Sequence, residues 1–286
     1  MSFGEILSRG MTAANRSVTG LLMYFLLYGI YQGLALVVGG QMTPEQFDVQ
    51  PGRPPEPEFG LMMIYGCGSC VWMLVMLFSG PWVSGGVAAQ LRDRMRESDE
   101  PTSIFIDYAS RYYGRMLVLT LVYVGILIAV YILYVLVQAA IATTFLDVDL
   151  MQPLEWQEVS THPANLAMGV VFVLVLTGIG VVFGLANAAV VVEEFDAFTS
   201  LGRGWSFVRD NPGDAGRLWL VAAGLSVLMA MLYWIPPLLD IRSMPVLAVL
   251  GTVIAVYFPY MLMLNLSLAV SLWLARRTAP GEEEAE

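Results

Sequence analysis

The sequence predicts an all-α protein, a polytopic transmembrane helical bundle with six spans. Of its 286 residues, 57% are hydrophobic and only 13% are charged, and the mean hydropathy is +0.68. Soluble domains contain about 25% charged residues. The chain also has six long apolar stretches, each with a run of about 20 or more residues that lack any Asp, Glu, Lys, Arg or His. A helix of that length crosses the hydrocarbon core and satisfies its own backbone hydrogen bonds there.

The six apolar stretches define the predicted spans. Their approximate bounds are Ser17 to Gly40, Gly60 to Ala88, Met116 to Phe145, Ala164 to Val192, Leu218 to Leu239 and Pro245 to Ala275. Pro81 and Pro259 lie inside the second and sixth stretches, and we expect each to kink its helix. No small-residue cleavage site follows the first stretch, so it is predicted to be a retained span and not a cleaved signal.

Amphipathic stretches precede the first, third and fifth spans, each followed closely by an arginine: Arg16, Arg115 or Arg217. The residues that share a helical face are Phe3, Ile6, Leu7 and Met11; Ile104, Phe105, Tyr108 and Tyr112; and Phe198, Leu201, Trp205 and Val208. Such segments suit the membrane surface. The sequence therefore predicts three repeats of interfacial helix plus helical hairpin, at about 1–88, 89–192 and 193–276. They form one integral membrane domain, 1–286, which ends in an acidic cytoplasmic tail, 277–286.

The distribution of arginine predicts the orientation. The chain has no lysine; twelve arginines fall on the side of both termini, and only Arg53 and Arg242 fall on the other. Short arginine-rich loops stay in the cytoplasm, so the chain is predicted to lie in the cytoplasmic (inner or plasma) membrane with both termini cytoplasmic. The opposite loops hold nine acids, a local charge of −7 within a total of −10. Nucleic-acid binding is not expected, because the arginines are interleaved with acids.

The sequence gives little sign of catalytic or metal chemistry. Cys67 and Cys70 have C-x-x-C spacing inside the second span, which allows either a redox pair or close helix packing at small residues. Two thiols and one distant histidine, His162, cannot complete a zinc site. We therefore predict no catalytic, cofactor-binding or metal-binding residue, no cofactor, and no enzymatic activity.

Two groups of polar residues are candidates for binding. The first, at the end of the fourth span, could contact lipid headgroups or a partner, or could form a solvated helix end: Glu193, Glu194, Asp196, Arg203, Arg209 and Arg217. The second consists of amides within the spans, which could line a cavity or bond one helix to another: Gln32, Gln138, Asn187 and Asn265. An interhelical hydrogen bond in a membrane contributes about 0.6 kcal/mol.

The segment from Val190 to Phe198, continuing through Gly204 to Pro212, resembles the signature of uncharacterised six-span membrane protein families of archaea and bacteria. In these families a span ends in a valine-rich stretch and an acidic pair, followed by an amphipathic helix with a tryptophan and a short turn. They include the membrane domain attached to some glycerophosphodiester phosphodiesterases. These 286 residues contain no such catalytic domain, so the resemblance implies a shared membrane architecture and no activity.

The predicted function is a non-enzymatic integral membrane scaffold or accessory subunit. Its expected partners are membrane lipids and either other membrane proteins or further copies of the chain. The stripe Tyr24, Tyr28 and Tyr31 is a candidate contact face, with core packing as the alternative. The alternative function is a passive transporter of a small solute or lipid, with a cavity between the repeats. Proton coupling is not expected, because the spans lack ionisable groups at depth.

The predicted orientation can be tested by labelling with a membrane-impermeant maleimide. In a Cys67→Ser/Cys70→Ser background, Asp48→Cys should react in intact cells, whereas Thr278→Cys should react only after permeabilisation. The reason is that the positive-inside bias places residue 278 with the arginine-rich loops. Labelling of Thr278→Cys in intact cells would contradict the orientation.

Overall fold

The computed structural model describes residues 1–39, 57–96, 105–145, 163–238 and 243–277. These residues form an all-helical bundle. The helices are α1 (Phe3–Arg16), α2 (Val18–Tyr24), α3 (Ile30–Gly39), α4 (Pro57–Met95), α5 (Phe105–Phe145), α6 (Pro163–Val192), α7 (Ala197–Asp210), α8 (Pro212–Leu238) and α9 (Met244–Arg277). A π-helical turn, Phe25–Gly29, joins α2 to α3 into one span. Six spans are long and apolar enough to cross a membrane, which confirms the predicted fold class.

The span boundaries follow the apolar pattern closely, with three larger extensions. α4 ends at Met95 and not at Ala88, α5 begins at Phe105 and not at Met116, and α8 begins at Pro212 and not at Leu218. These helices include polar residues beyond the apolar run, because a helix can continue outside the hydrocarbon core of a membrane. Pro81 and Pro259 both lie inside uninterrupted helices, α4 and α9.

Two of the three predicted interfacial helices are separate elements. α1 begins with a capping box, in which the Glu5 N–H donates to Ser2 Oγ and the Ser2 N–H donates to Glu5 Oε2. Only Ser17 separates α1 from the first span. α7 is likewise bounded by short connections on both sides. The segment 277–286 overlaps the described residues only at Arg277.

The second predicted interfacial helix is not a separate element. Phe105 to Tyr112 is the continuous first part of α5, and both of these rings are buried against α4. The space comes from Gly85 and Gly86, where a Cβ would lie 3.2 Å from Tyr112 Cβ and 2.6 Å from Phe105 Cε2. The apolar face that was predicted to lie on the membrane surface therefore packs against α4 within the protein. Ile104 lies outside the described residues, and the threefold repeat stays a prediction.

The main core lies at the end of the bundle where α4, α6 and α9 finish. Its fully buried residues include Val87, Leu91, Leu185, Val190 and Leu272. α9 is the central helix, since it contacts α1, the first span, α4, α6 and α8. We call this end the arginine-rich rim, and the half of the bundle farther from it the distal half.

The distal half is packed unevenly. A second, small core of Leu36, Met229, Ile254 and Met261 joins the first span to α8 and α9. By contrast, no residue in the distal segments 66–79 of α4, 121–141 of α5 and 167–180 of α6 is buried. These segments expose long runs of apolar side chains to the surroundings of the bundle.

A seam of small residues brings the first span against α9. Gly29 and Gly33 face Ala255 and Gly251, in an antiparallel arrangement that small side chains permit. Pro259 packs against Gly29, so the π-helical turn lies opposite the proline. The close approach of the two backbones explains why neither helix carries a larger residue at these positions.

Aromatic side chains donate hydrogen bonds to backbone carbonyl oxygens across the spans. The pairs are Trp72 Nε1 with Leu27 O at 3.1 Å, Trp219 Nε1 with Leu174 O at 3.1 Å, and Tyr257 Oη with Leu225 O at 3.0 Å. Leu27 lies in the π-helical turn. Each bond fixes two spans at one depth, because a polar group in the hydrocarbon core needs a partner within the protein.

The tyrosine stripe of the first span is used in the same internal way. Tyr24 is buried and its hydroxyl lies 3.1 Å from Ser84 Oγ on α4. Tyr28 contacts the Phe258 ring, and Tyr31 stacks on Trp72 with ring centroids 6.1 Å apart. Core packing is therefore the role that the structure gives to this stripe.

Gly33→Ala should destabilise the bundle, because the added Cβ would lie 2.6 Å from Gly251 O, a backbone atom that cannot move alone. We expect a loss of about 1–3 kcal/mol, typical of overpacking, visible as a lower midpoint of thermal unfolding in detergent. Gly125→Ala on α5 is the matched control, since nothing lies within 4 Å of its Cβ position. Equal midpoints for the two variants would contradict the glycine seam.

Candidate functional site at the arginine-rich rim

Arginines at this rim bind backbone carbonyl oxygens at, or just after, the C-terminal ends of other helices. The pairs are Arg9 with Met95 O, Arg92 with Val191 O at 2.7 Å, Arg94 with Arg16 O at 2.5 Å, and Arg115 with Glu194 O at 2.5 Å. The last carbonyls of a helix lack intrahelical partners and carry the negative end of the helix dipole. A guanidinium from another helix donates the missing hydrogen bond and places a positive charge at the negative end of the dipole. Each pair therefore joins two elements.

Arg92 makes the most contacts of these. Only 11% of its side chain is exposed; its Nε lies 2.7 Å from Asp93 Oδ1, and its Nη1 also donates to Tyr112 Oη at 3.0 Å. Its Cζ lies 5.6 Å from the centroid of the Tyr108 ring, whose hydroxyl donates to Asp93. The Arg92 guanidinium thus ties α4, α5 and the end of α6 together.

Glu194 reverses the chain after α6. Its φ is 59°, in the left-handed region that terminates many helices but that residues other than glycine adopt infrequently. Arg111 Nη2 lies 2.6 Å from its Oε1, and Tyr112 Oη lies 3.3 Å from the same atom. The hydrogen bond from Arg111 is the main reason that the pKa of Glu194 is lowered. These contacts hold an unfavourable backbone conformation in place.

Glu193 and Asp196 also have internal partners. Trp273 Nε1 on α9 donates to Glu193 Oε1 at 2.7 Å. Asp196 is the N-cap of α7, where its Oδ1 accepts the backbone N–H groups of Phe198 and Thr199 at 3.0 and 3.1 Å. The Thr199 hydroxyl donates to the other oxygen, and this bond is the largest cause of the lowered pKa of Asp196.

The three arginines of the predicted site are placed differently from its acids. Arg203 Cζ lies 5.7 Å from the Phe195 ring centroid, and Arg209 pairs with the adjacent Asp210 at 3.1 Å, with both side chains exposed. Arg217 lies 3.9 Å from Asp214, which Arg276 of α9 also binds. The structure therefore divides the set: Glu193, Glu194 and Asp196 are used in the fold, whereas the arginines face outward.

The four amides do not meet in one place. The Tyr233 hydroxyl donates to Gln32 Oε1, and Gln138 Nε2 donates to Tyr134 Oη at 2.6 Å on the same helix. Asn187 is half-buried on α6, and Asn265 on α9 has a buried Oδ1 with no hydrogen-bond partner among the described residues. Among the described residues, no hydrogen bond links one of these four amides to another.

Among the residues that the structure describes, the cysteines and acids show no metal-binding arrangement. Cys67 and Cys70 are both exposed, unbonded thiols in the distal half of α4. Across the described ranges, no group of three His, Cys, Asp or Glu residues is positioned to hold a metal ion. His162 lies outside these ranges. A redox role for the two cysteines stays a hypothesis.

The residues that hold the rim together were not predicted from the sequence. Arg9, Arg92, Arg94 and Arg115 counted toward the orientation but were not predicted to bind helix ends, and Trp273 was not predicted to bind Glu193. An arginine within a turn of an apolar span is a usable signal. The carbonyl that it binds has no sequence signal, because every residue has one.

Comparison with protein-family models, with curated proteins and with solved structures finds no match to this chain. The resemblance of the Val190 to Pro212 segment to six-span families therefore stays a prediction.

Arg92→Gln should destabilise the protein, because it removes the guanidinium that joins Asp93, Tyr112 and the Val191 carbonyl. We expect a loss of about 3 kcal/mol, the lower end of the cost of removing one partner of a buried ion pair, measured as resistance to thermal or denaturant unfolding in detergent. Arg96→Gln removes the same charge from an exposed residue one turn further on and should change stability by less than about 0.5 kcal/mol. Similar losses for both variants would count against the helix-joining role of Arg92.

Proposed function

We propose that this chain is a non-enzymatic integral membrane scaffold or accessory subunit that packs with lipid and with other membrane proteins. The observation that supports it best is that the two halves of the bundle differ in their contacts. Charged groups at the rim hold helices together, and the distal half presents bare apolar surfaces. We also propose the cytoplasmic membrane as its location, with both termini in the cytoplasm, on the strength of the arginine distribution.

The rim supports a structural role because its strongest polar contacts are satisfied within the chain. Arg92 has an acid, a hydroxyl and a carbonyl as partners, and Glu194 has Arg111 and Tyr112. A catalytic group generally needs a position from which it can reach a substrate. Polar groups that are fully engaged with their neighbours instead stabilise one arrangement of helices.

The distal half supports a role in assembly. Segments 121–141 and 167–180 hold no buried residue, and their contacts include Tyr134 stacked on Phe172 with ring centroids 4.2 Å apart. Helices associate in membranes through shape and small contacts more than through hydrophobicity. An apolar hairpin of this kind therefore suits acyl chains, a helix of another membrane protein, or a second copy of this chain.

A passive transporter of a small solute or lipid is the second candidate, and one observation favours it. Asn265 Oδ1 and Ser69 Oγ are buried in spans without a hydrogen-bond partner among the described residues. Buried polar atoms in native proteins nearly always have partners, and a solute or water in a cavity between the predicted repeats would supply one.

Photo-crosslinking with mild-detergent purification tests the proposal. A photoreactive amino acid at Leu133 on α5 should give one adduct of defined mass with a stoichiometric partner. At Val249 on α9 it should give lipid adducts alone. The two side chains are matched in exposure, at 61% and 64%. An adduct of twice the chain mass would identify a homo-oligomer. Lipid adducts alone at both sites, with a solute retained by the purified protein, would overturn the scaffold proposal in favour of transport.

A further inference from the structure

Helix α7 is held at the membrane boundary by its connections. Four residues separate it from the end of α6 at Val192, and only Asn211 separates it from the start of α8 at Pro212. Both neighbours are candidate membrane spans. Because a residue extends the chain by at most about 3.6 Å, α7 cannot move far from the level at which these spans leave the hydrocarbon core.

The face of α7 that packs on the bundle carries mostly small residues. Ala197, Ser200, Gly204 and Phe207 are buried, and a Cβ on Gly204 would lie 2.9 Å from Val182 O of α6. Phe207 stacks on Trp273 of α9 with ring centroids 5.3 Å apart. This side of the helix is therefore fully occupied by protein.

The opposite face exposes two large aromatic side chains. Phe198 is 68% exposed and Trp205 is 62% exposed, and their spacing of two helical turns places them on one side. Arg209 follows Trp205 by one turn, so it lies on the same side, and its side chain is 72% exposed. Aromatic rings beside basic groups are typical of helices that lie in the headgroup region.

Arg203 and Arg209 retain donors for a ligand. Arg203 has a contact with the Phe195 ring and no carboxylate partner among the described residues, and Arg209 pairs only with its exposed neighbour Asp210. An exposed pair of this kind contributes little, about 0–1 kcal/mol. The N-terminus of α7 is already occupied by Asp196, so an anion would bind through the guanidinium groups and not through the helix end.

We propose that α7 binds anionic phospholipid, with Arg203 and Arg209 on the phosphate groups and with Phe198 and Trp205 inserted beneath them. Guanidinium groups suit phosphate because they donate two parallel hydrogen bonds. The lipid leaflet is the occupant because the tethers at both ends keep this face at the boundary of the bilayer. The inference uses the membrane placement of the spans and stands whether or not the chain has a protein partner.

The test measures lipid binding to the delipidated full-length protein in detergent. Phosphatidylglycerol and phosphatidylcholine with the same acyl chains are titrated separately, and bound lipid is counted by native mass spectrometry. Wild type should prefer phosphatidylglycerol, and Arg203→Gln/Arg209→Gln should weaken that binding about fivefold for each arginine removed. The control Arg53→Gln/Arg242→Gln removes the same charge from the predicted opposite side and should bind as wild type does.

Three outcomes would overturn the proposal. They are equal affinity of wild type for the two lipids, unchanged binding by the α7 double variant, and displacement of the lipid by an equal concentration of soluble glycerol phosphate. The last outcome would make a free phosphate compound the ligand. Because both arginines are exposed, the double variant should keep the wild-type midpoint of thermal unfolding, which separates lost binding from lost folding.

The position of the aromatic side chains gives an independent measurement in vesicles. The fluorescence difference between wild type and Trp205→Phe isolates the signal of Trp205. That signal should be quenched by brominated acyl chains and protected from aqueous acrylamide, because the ring lies below the phosphates. Quenching by acrylamide alone would place α7 in water and overturn the insertion.

Discussion

Many polar contacts between the helices of this bundle are hydrogen bonds from a side chain to a backbone carbonyl oxygen of another helix. A carbonyl that a helix leaves open, or that lies away from water, gains a partner when a side chain of another helix donates to it. Trp72 donates to a carbonyl in the π-helical turn of the first span, Ser267 and Ser271 donate to carbonyls of α1, and Arg92 donates to Val191 O near the end of α6. Each donor belongs to a different helix from its acceptor. The arrangement of the spans therefore depends on a small number of directional bonds added to close packing.

These bonds are concentrated near the arginine-rich rim, and this concentration gives the protein two different halves. At the rim, α9 lies among α1, α4 and α6, with residues such as Leu185 and Val270 wholly buried. In the distal half, segments 121–141 of α5 and 167–180 of α6 hold no buried residue. A region with few buried contacts opens more easily than the core to which it is attached. We therefore regard the rim as the rigid base and the distal hairpin of α5 and α6 as the surface available to lipid or to another protein.

The charged residues between α6 and the end of α7 have two roles: the acids stabilise the fold, and the arginines are exposed. Glu194 is held by Arg111 and ends α6, and Asp196 begins α7, so both acids set the direction of the chain as it runs along the membrane boundary. Once α7 is fixed in that direction, its small face meets α6 and its aromatic face points away from the bundle. Arg203 and Arg209 then lie on the exposed part of the helix. The contacts of Glu194 and Asp196 therefore also determine where Arg203 and Arg209 lie.

The sequence by itself determined the six spans, their ends to within about a turn at most boundaries, and the separate helices α1 and α7. Those features depend on local quantities: the length of an apolar run and the spacing of apolar residues along one helical face. Only the tertiary structure decided that Phe105 and Tyr112 are buried, that the acids of the candidate site have internal partners while its arginines face outward, and that Arg92 binds the end of α6. The reason is physical: a side chain's role depends on the carbonyls and rings brought to it by distant parts of the chain. The order of residues along the chain does not show which of these distant groups become neighbours.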